Sequence, residues 1–334
     1  MDTAIKASTF KGGVHPDEYK DLTKDKAFEH FEPKEEVYLP ITQHIGKPAN
    51  PKVKKRDEVN PGTVVAEQDG FISSVIHSSV SGKVKDIQKT TNAGGYRKDS
   101  IIIKPDGKGS ENDFMEPIDP EKADKQALID RVRDAGIVGQ GGAAFPSYVK
   151  LMPPEDKKID HIILNGAECE PYLTRDYRYM IDRTEDVVSG LKLIMKATGV
   201  QNGGIGIEDN KPDAIEAMQE AVKDEPGIKV FPLKTKYPQG AEKMLIKAVT
   251  GREVPPRKLP MEVGCIIQNI GTAIAIHNAV VKGEPQITAA LTISGHGIKE
   301  PKNLIVPVGT MISEVLEFCG GIKDNAGKII VGGP

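Results

Sequence analysis

The chain has 334 residues, enough for two or three domains with their own cores, and its 45 Lys+Arg against 48 Asp+Glu leave a formal net charge of −3. No large field is there to recruit nucleic acid or anionic lipid, and no apolar run approaches the roughly 20 residues that span a bilayer. The opening Met-Asp-Thr-Ala-Ile-Lys lacks a signal-peptide core, and Cys169, Cys265 and Cys319 form no C-x-x-C pair that would hold zinc or an iron–sulfur cluster, so a cytoplasmic protein with buried free thiols at Cys265 and Cys319 is expected.

Residues 1–35 are charged and irregular and read as an arm that packs on something, punctuated by Phe10-Lys-Gly-Gly-Val-His-Pro16. Short β-prone runs fill residues 36–115: Val37-Tyr-Leu, Val64-Val-Ala, Phe71-Ile-Ser-Ser-Val-Ile76, Lys83-Val-Lys-Asp-Ile87 and Ile101-Ile-Ile-Lys104. Turn residues separate them at short intervals, which predicts a small barrel or sandwich. Its Asn60-Pro-Gly62 and Ser81-Gly82 turns resemble those of the biotinyl/lipoyl barrel-sandwich hybrid, but residues 67–79 offer no lysine to modify.

Over 116–285 helix and strand alternate. Leu128, Ile129, Val132 and Ala135 give helix 122–135 one apolar face, and Gly136 stops it. Strand 161–164, helix 184–198, strand 205–207, helix 212–223 and strand 229–233 follow, with Asn210 as N-cap and Pro212 in the first turn of the 212 helix. This rhythm predicts an open sheet covered by helices. Residues 286–334 return to β-rich text: strands near 290–294 and 304–308, a helix 311–318 capped by Thr310 and stopped by Gly320, and a strand 328–331, together a β-grasp-like module. The ending Val331-Gly-Gly-Pro334 has no polar tail, which predicts that more once followed.

Three stretches carry chemistry. In Gly139-Gln-Gly-Gly-Ala-Ala-Phe-Pro-Ser-Tyr-Val-Lys150 the glycines at 139, 141 and 142 leave backbone N–H groups bare to an anion, and Lys150 adds a positive charge. Strand 161–164 delivers Asn165, Glu168 and Glu170 to its carboxyl end, where open α/β sheets bind ligands. The turn Tyr237-Pro-Gln-Gly-Ala-Glu242 opens another helix, running to Val249, whose first amides are available to an anion. Together they point to a nucleotide-type cofactor, against the plainer reading of the glycines as a tight turn. No Walker string is present, and Gly139-Gln-Gly141 does not continue as a Rossmann fingerprint. Glu168 and Glu170 lack the aromatic platform of a glycosidase pair; His161 and His277 read as structural, and His15 and His77 have no triad or metal-spaced partners.

The motifs Gly139-x-Gly-Gly-Ala-x-Phe-Pro-x-x-x-Lys150, Asn165-x-x-Glu-x-Glu-Pro171, Tyr237-x-x-Gly-x-Glu242 and Gln268-Asn269 resemble, in order, the FMN- and NADH-binding segments of the flavoprotein subunit of respiratory complex I. With Phe10–Pro16, Asn165–Tyr172 and Tyr237–Lys243 as flanks, the whole chain resembles the RnfC family, the flavin-site component of the Rnf ion-translocating ferredoxin:NAD oxidoreductase. The resemblance implies an α/β, multidomain chain: an arm over 1–35, a barrel-sandwich hybrid domain over 36–115, a Rossmann-like FMN/NADH-binding core over 116–285 and an SLBB-type β-grasp over 286–334.

It also implies FMN held by Gly139, Gly141, Gly142, Lys150, Asn165, Glu168, Tyr237, Gly240 and Asn269, and NADH contacted by Phe145, Lys150, Glu170 and Glu242. Hydride would pass between the nicotinamide and the flavin, with no catalytic side chain and no metal ligand in these residues. The implied partners are the other components of the Rnf complex and, indirectly, ferredoxin; the implied place is the cytoplasmic side of the cell membrane, peripherally docked. Ion translocation would belong to the full complex, and the 4Fe-4S clusters to a ferredoxin-like domain that follows Gly-Gly-Pro in the family. Gln140 and Ala167 replace an arginine and an aspartate of the complex I pattern, which implies weaker flavin affinity. The related cobalamin-reductase flavoproteins share the same parts, and a non-enzymatic docking protein is the alternative of a different class.

Overall fold

The computed structural model describes residues 7–92, 94–107 and 111–332; the first six residues of the arm and the terminal Gly333-Pro334 lie outside the described residues. Two compact units emerge: Lys26–Val149 with the residues from Asn278 onward, and the arm up to Asp25 with Lys150–His277.

In the first unit, strand β1 (Phe28–His30) precedes the barrel strands β2 (Val37–Pro40), β3 (Asn50–Pro51), β4 (Glu58–Val59), β5 (Val64–Glu67), β6 (Ile76–His77), β7 (Gly82–Thr91) and β8 (Arg97–Pro105). They form two antiparallel sheets, ordered β2-β8-β7-β4 and β3-β5-β6. Val37, Leu39, Val65, Val84, Ile101 and Ile103 fill the space inside, which is the barrel-sandwich core expected from the short β-prone runs and the turns between them. The run 71–76 is a strand only at Ile76. Phe71 and Ile72 are exposed, and their carbonyls accept from the Tyr148 hydroxyl and the Lys47 N–H instead of a ladder partner.

His77 lies buried in this unit, and burial pulls its pKa down to about 4. Between pH 6.5 and about 4 the unfolded chain binds a proton that the folded imidazole refuses, so stability present above pH 6.5 is lost as pH falls through that window. At about 1.4 kcal/mol per pKa unit the loss reaches roughly 3 kcal/mol. His77→Asn is therefore expected to have a flatter dependence of its urea midpoint between pH 7 and 4.5 than the native chain; parallel dependences would remove His77 as the cause.

Helix α1 (Lys125–Asp134) starts at Asp124, whose carboxylate accepts from Ala127 N–H at 2.8 Å, and buries Leu128, Ile129 and Val132. Gly136 follows with φ +65°, where an added Cβ would stand 2.4 Å from the Val75 carbonyl oxygen. A single helical turn, α2 (Ser147–Lys150), leads into the second unit.

That unit is a four-stranded parallel sheet of β9 (His161–Gly166), β10 (Gly203–Glu208), β11 (Ile228–Leu233) and β12 (Cys265–Asn269), in the order β11-β10-β9-β12. Its helices are α3 (Arg175–Asp182), α4 (Thr184–Thr198), α5 (Pro212–Ala221), α6 (Glu242–Thr250) and α7 (Ile270–His277). Leu245 and Ile246 of α6 pack with Ile163, Leu233 and Ile267 on one face. Leu191 and Met195 of α4 meet Gly203 from the other, so both faces are covered as a parallel sheet requires. The N-cap of α5 is Lys211, not Asn210; the Asn210 amide is taken by Glu18 and by the Lys211 ammonium. His161 is paired with Asp160, and His277 with Ser189 and Asp186, as structural histidines.

The remainder of the first unit is the β-grasp: β13 (Thr288–Ile293) antiparallel to β14 (Lys302–Pro307), β1 parallel to β14, and α8 (Ile312–Phe318), over a core of Phe31, Leu304, Val306, Val315 and Cys319. The expected strand at 328–331 is not formed. Ile329, Ile330 and Val331 are exposed and no strand among the described residues pairs with them, so β propensity finds no ladder to join. Met311, not Thr310, is the N-cap of α8, because the Thr310 hydroxyl donates back to Pro307. Cys265 and Cys319 are buried free thiols, and burial pushes both up to about 11.

Candidate functional site

The glycine loop belongs to the first unit. Val138 bridges to Pro146, and Gly139 N–H donates to the Phe145 carbonyl at 2.9 Å, closing a turn over residues 140–143. Between Gly139 and Phe145 the only positive φ among the described residues is at Ala144, at 51°. A Cβ on Gly142 would meet nothing within 4 Å, and one on Gly139 only the Phe145 backbone at 3.7 Å. Neither backbone strain nor crowding therefore asks for glycine at 139 and 142. With the Gly139 amide already bonded to Phe145, it is the exposed backbone at Gly142 that leaves open surface for an approaching phosphate or flat ring. Gly141 is exposed in the same turn and Phe145 is half-buried.

In the second unit, β9 lies between its sequence neighbour β10 and the last strand β12, so the strand order reverses there. The register sets Asn165 of β9 opposite Asn269 of β12 at the carboxyl ends. Asn165 Nδ2 donates to the Gly240 carbonyl at 2.7 Å, its Oδ1 accepts from Ala167 N–H at 3.2 Å, and Gly240 N–H donates to Cys169 Sγ at 3.2 Å. The 165–169 loop and the 237–240 turn are thus one assembly. Asn269 Nδ2 donates to Asp176 Oδ2 at 2.6 Å, and Asp176 N–H to Glu168 Oε1 at 2.8 Å. Lys150 Nζ donates to the Ile267 carbonyl at 2.9 Å and stands 3.6 Å from the Glu242 carboxylate at the start of α6. Asn165, Glu168, Tyr237, Gly240, Glu242, Asn269 and Lys150 are therefore brought to one end of one sheet, with Glu170 half-buried on the same loop.

Several polar atoms there are buried with no hydrogen-bond partner among the described residues: Glu168 Oε2, Gln268 Nε2 and both side-chain heteroatoms of Gln239. Burial raises the Glu168 pKa against the pull of the Lys20 ammonium. Such orphaned atoms call for partners. They suit a flat ligand rich in heteroatoms, such as the flavin of FMN.

Sequence reasoning missed a set of charged side chains beneath these loops. Lys20 Nζ donates to the carbonyls of Glu168, Glu170 and Leu173 at 2.9, 3.0 and 2.6 Å, and burial lowers its pKa. Glu208, fully buried at the end of β10, faces Lys211 Nζ at 3.4 Å. A cavity of about 220 Å³ is lined by His15, Glu18, Lys20, Glu170, Asn210 and Lys236. The only signal for Lys20 was its place in an arm expected to pack.

Comparison with known proteins agrees with this architecture. Residues 8–108 match a family model described as the RnfC barrel sandwich hybrid domain, 132–278 the Nuo51 FMN-binding domain, and 291–334 the SLBB domain. The chain is 49% identical over 330 residues to the subunit designated C of the proton-translocating ferredoxin:NAD(+) oxidoreductase complex of Clostridium ljungdahlii, covering 98% of this chain and 71% of that one. It is 45% identical to the Na(+)-translocating counterpart of Acetobacterium woodii, covering 99% and 75%. It is 40% identical to the like-designated subunit of the ion-translocating oxidoreductase complex of Rhodobacter capsulatus, covering 99% and 64%. Among solved structures, an NAD+-reducing [NiFe]-hydrogenase in the H2-reduced state shares the fold at a TM-score of 0.50 and 21% identity, over 58% of this chain and 38% of that one.

Proposed function

Since the chain belongs to the RnfC family of ion-translocating ferredoxin:NAD oxidoreductase complexes, we propose that it is the subunit at which NAD(H) and bound FMN exchange electrons. The carrying observation is that the residues matching an FMN-binding domain include Asn165 and Asn269, side by side at the point where the strand order reverses. Gly139, Gly141, Gly142, Lys150, Asn165, Glu168, Tyr237, Gly240 and Asn269 would hold FMN; Phe145, Lys150, Glu170 and Glu242 would meet NADH. FMN, when bound, supplies the hydride acceptance and the conversion of two electrons into single ones. The protein's own work is placement: exposed glycine backbone at 141 and 142 for phosphate, Asn165 and Asn269 fixed by hydrogen bonds, and Lys150 held between the Ile267 carbonyl and Glu242. Without a protein general base, rate depends on how well these groups hold the two rings.

The same reading gives the chain the other components of the complex as partners and peripheral docking on the cytoplasmic side of the membrane; no helix among the described residues is long and apolar enough to cross it. It assigns 4Fe-4S clusters to a ferredoxin-like domain of the family rather than to these residues.

An anaerobic titration tests the proposal. FMN is added and its fluorescence followed for saturation, then NADH is added and flavin absorbance followed for bleaching. Saturable binding and rapid bleaching are expected. Phe145→Ala and Glu170→Ala should each weaken NADH binding about tenfold and leave FMN binding within a factor of about two, as the loss of a stacking or hydrogen-bonding contact of some ~1–1.5 kcal/mol requires. Equal loss of both ligands with the fold intact would sink the division of roles.

A further inference from the structure

The barrel-sandwich match begins at residue 8, yet residues 8–25 are built into the α/β unit, where they touch both loops of the candidate site. Ser8 N–H donates to the Pro232 carbonyl at 2.8 Å and Lys234 N–H to the Ser8 carbonyl at 2.9 Å. Val14 and Tyr237 exchange both backbone hydrogen bonds at 2.8 Å, and the Lys236 ammonium donates to the carbonyls of Phe10 and Gly12. The arm is thereby fixed to the 237–240 turn.

Its other end is fixed to the 165–173 loop. Lys20 is buried and places all three of its N–H donors on carbonyls of that loop, Glu168, Glu170 and Leu173. Tyr172 N–H donates to the Glu18 carbonyl at 2.8 Å, the rings of Tyr19 and Tyr172 stack 4.8 Å apart, and the Thr23 and Thr174 hydroxyls are 2.7 Å apart. Three carbonyls converging on one ammonium is a geometry the loop would not hold alone, because without the cation their dipoles point at one another. Tyr172 also sits at φ +69°, a conformation a tyrosine adopts only when its surroundings impose it.

We propose that the N-terminal arm, centred on Lys20, is a positioning element of the flavin site, clamping the loop that carries Glu168 and Glu170 in register with the turn that carries Tyr237 and Gly240. This rests on the reading of those loops as an FMN site for its consequence, but not for its geometry. Lys20 is a positioning residue, acting through the backbone of the loop.

The test pairs two readouts on Lys20→Met: backbone hydrogen exchange of the ligand-free chain, and FMN affinity by fluorescence. Amides of 168–173 are expected to exchange at least about tenfold faster, those of β9, β10 and β12 to keep their native rates, and the FMN Kd to rise about tenfold or more. Native exchange in 168–173, or acceleration of loop and sheet by the same factor, would overturn the proposal. If Lys20→Met does not fold, Val14→Pro decides, since Val14 is 61% exposed and proline breaks the N–H bond given to Tyr237 at the other end of the arm. Faster exchange confined to 237–241 supports the clamp and unchanged exchange refutes it. Should the native chain bind no FMN, the flavin reading fails, while the exchange data still decide on the arm.

Discussion

Gly240→Ala is expected to abolish FMN retention while the rest of the α/β unit stays folded. A Cβ at 240 would stand 2.2 Å from the Ala167 carbonyl oxygen and 3.2 Å from Cys169 Sγ. The first contact is with backbone, so no side-chain rotation relieves it. Either the 237–240 turn withdraws or the 165–169 loop does, and the bonds Asn165 Nδ2 to Gly240 O and Gly240 N to Cys169 Sγ cannot both survive. Asn165 would lose its partner just where it is proposed to meet the flavin. A penalty of about 3 kcal/mol, typical of forced overpacking, corresponds to roughly a hundredfold weaker FMN binding. Fluorescence titration beside a far-UV melt checks this; an affinity within about threefold of native would show that the close approach of the two loops does not shape the site.

Gly190→Ala should have a large effect on stability. Helices α4 and α7 approach so closely that a Cβ at 190 would lie 2.1 Å from the Ala273 carbonyl oxygen and 2.5 Å from its carbon. Both atoms belong to a helix backbone, so the helices must separate along their contact, and about 3 kcal/mol or more of stability goes with them. Because α7 begins directly after Asn269, the displacement would also move that residue. Gly199→Ala is the control. Gly199 ends α4 at φ +76° with nothing within 4 Å of an added Cβ, so it should cost only about 1 kcal/mol, for backbone conformation alone. Equal denaturant midpoints for the two variants would contradict this account of the helix contact.

Much of the α/β unit was legible because its signals are local and redundant. Helix α4 spans 184–198 as expected: Val187, Val188, Leu191 and Ile194 fall on one face and Gly199 closes it. Strand β9 and the residues just beyond it were readable for the same reason, since an apolar strand followed by Asn-Gly and paired glutamates marks a strand end. Propensity misled where the partner was missing or different. Phe71–Ile76 and Lys328–Val331 have strand composition, but the backbone of the first is taken up by Tyr148 and Lys47 and the second has no neighbour strand among the described residues. The supports of the site were not legible at all. Lys20 is one lysine in a charged segment, and its partners are main-chain carbonyls 148 to 153 residues away, which no side-chain pattern records.

The arm also makes the α/β unit discontinuous, and this bears on how the chain is made. During synthesis Ser8 and Val14 emerge first, but the segments they pair with, around Leu233 and Tyr237, follow only after the barrel strands and the glycine loop have been translated. The barrel, with its short-range antiparallel pairings such as β7 with β8, can close while the arm still waits as an unpaired leader. A ribosome that stalls or a chain cleaved between the two would leave a folded barrel preceded by arm residues whose backbone partners are missing, so a late step of maturation is the capture of earlier-made residues by later-made ones.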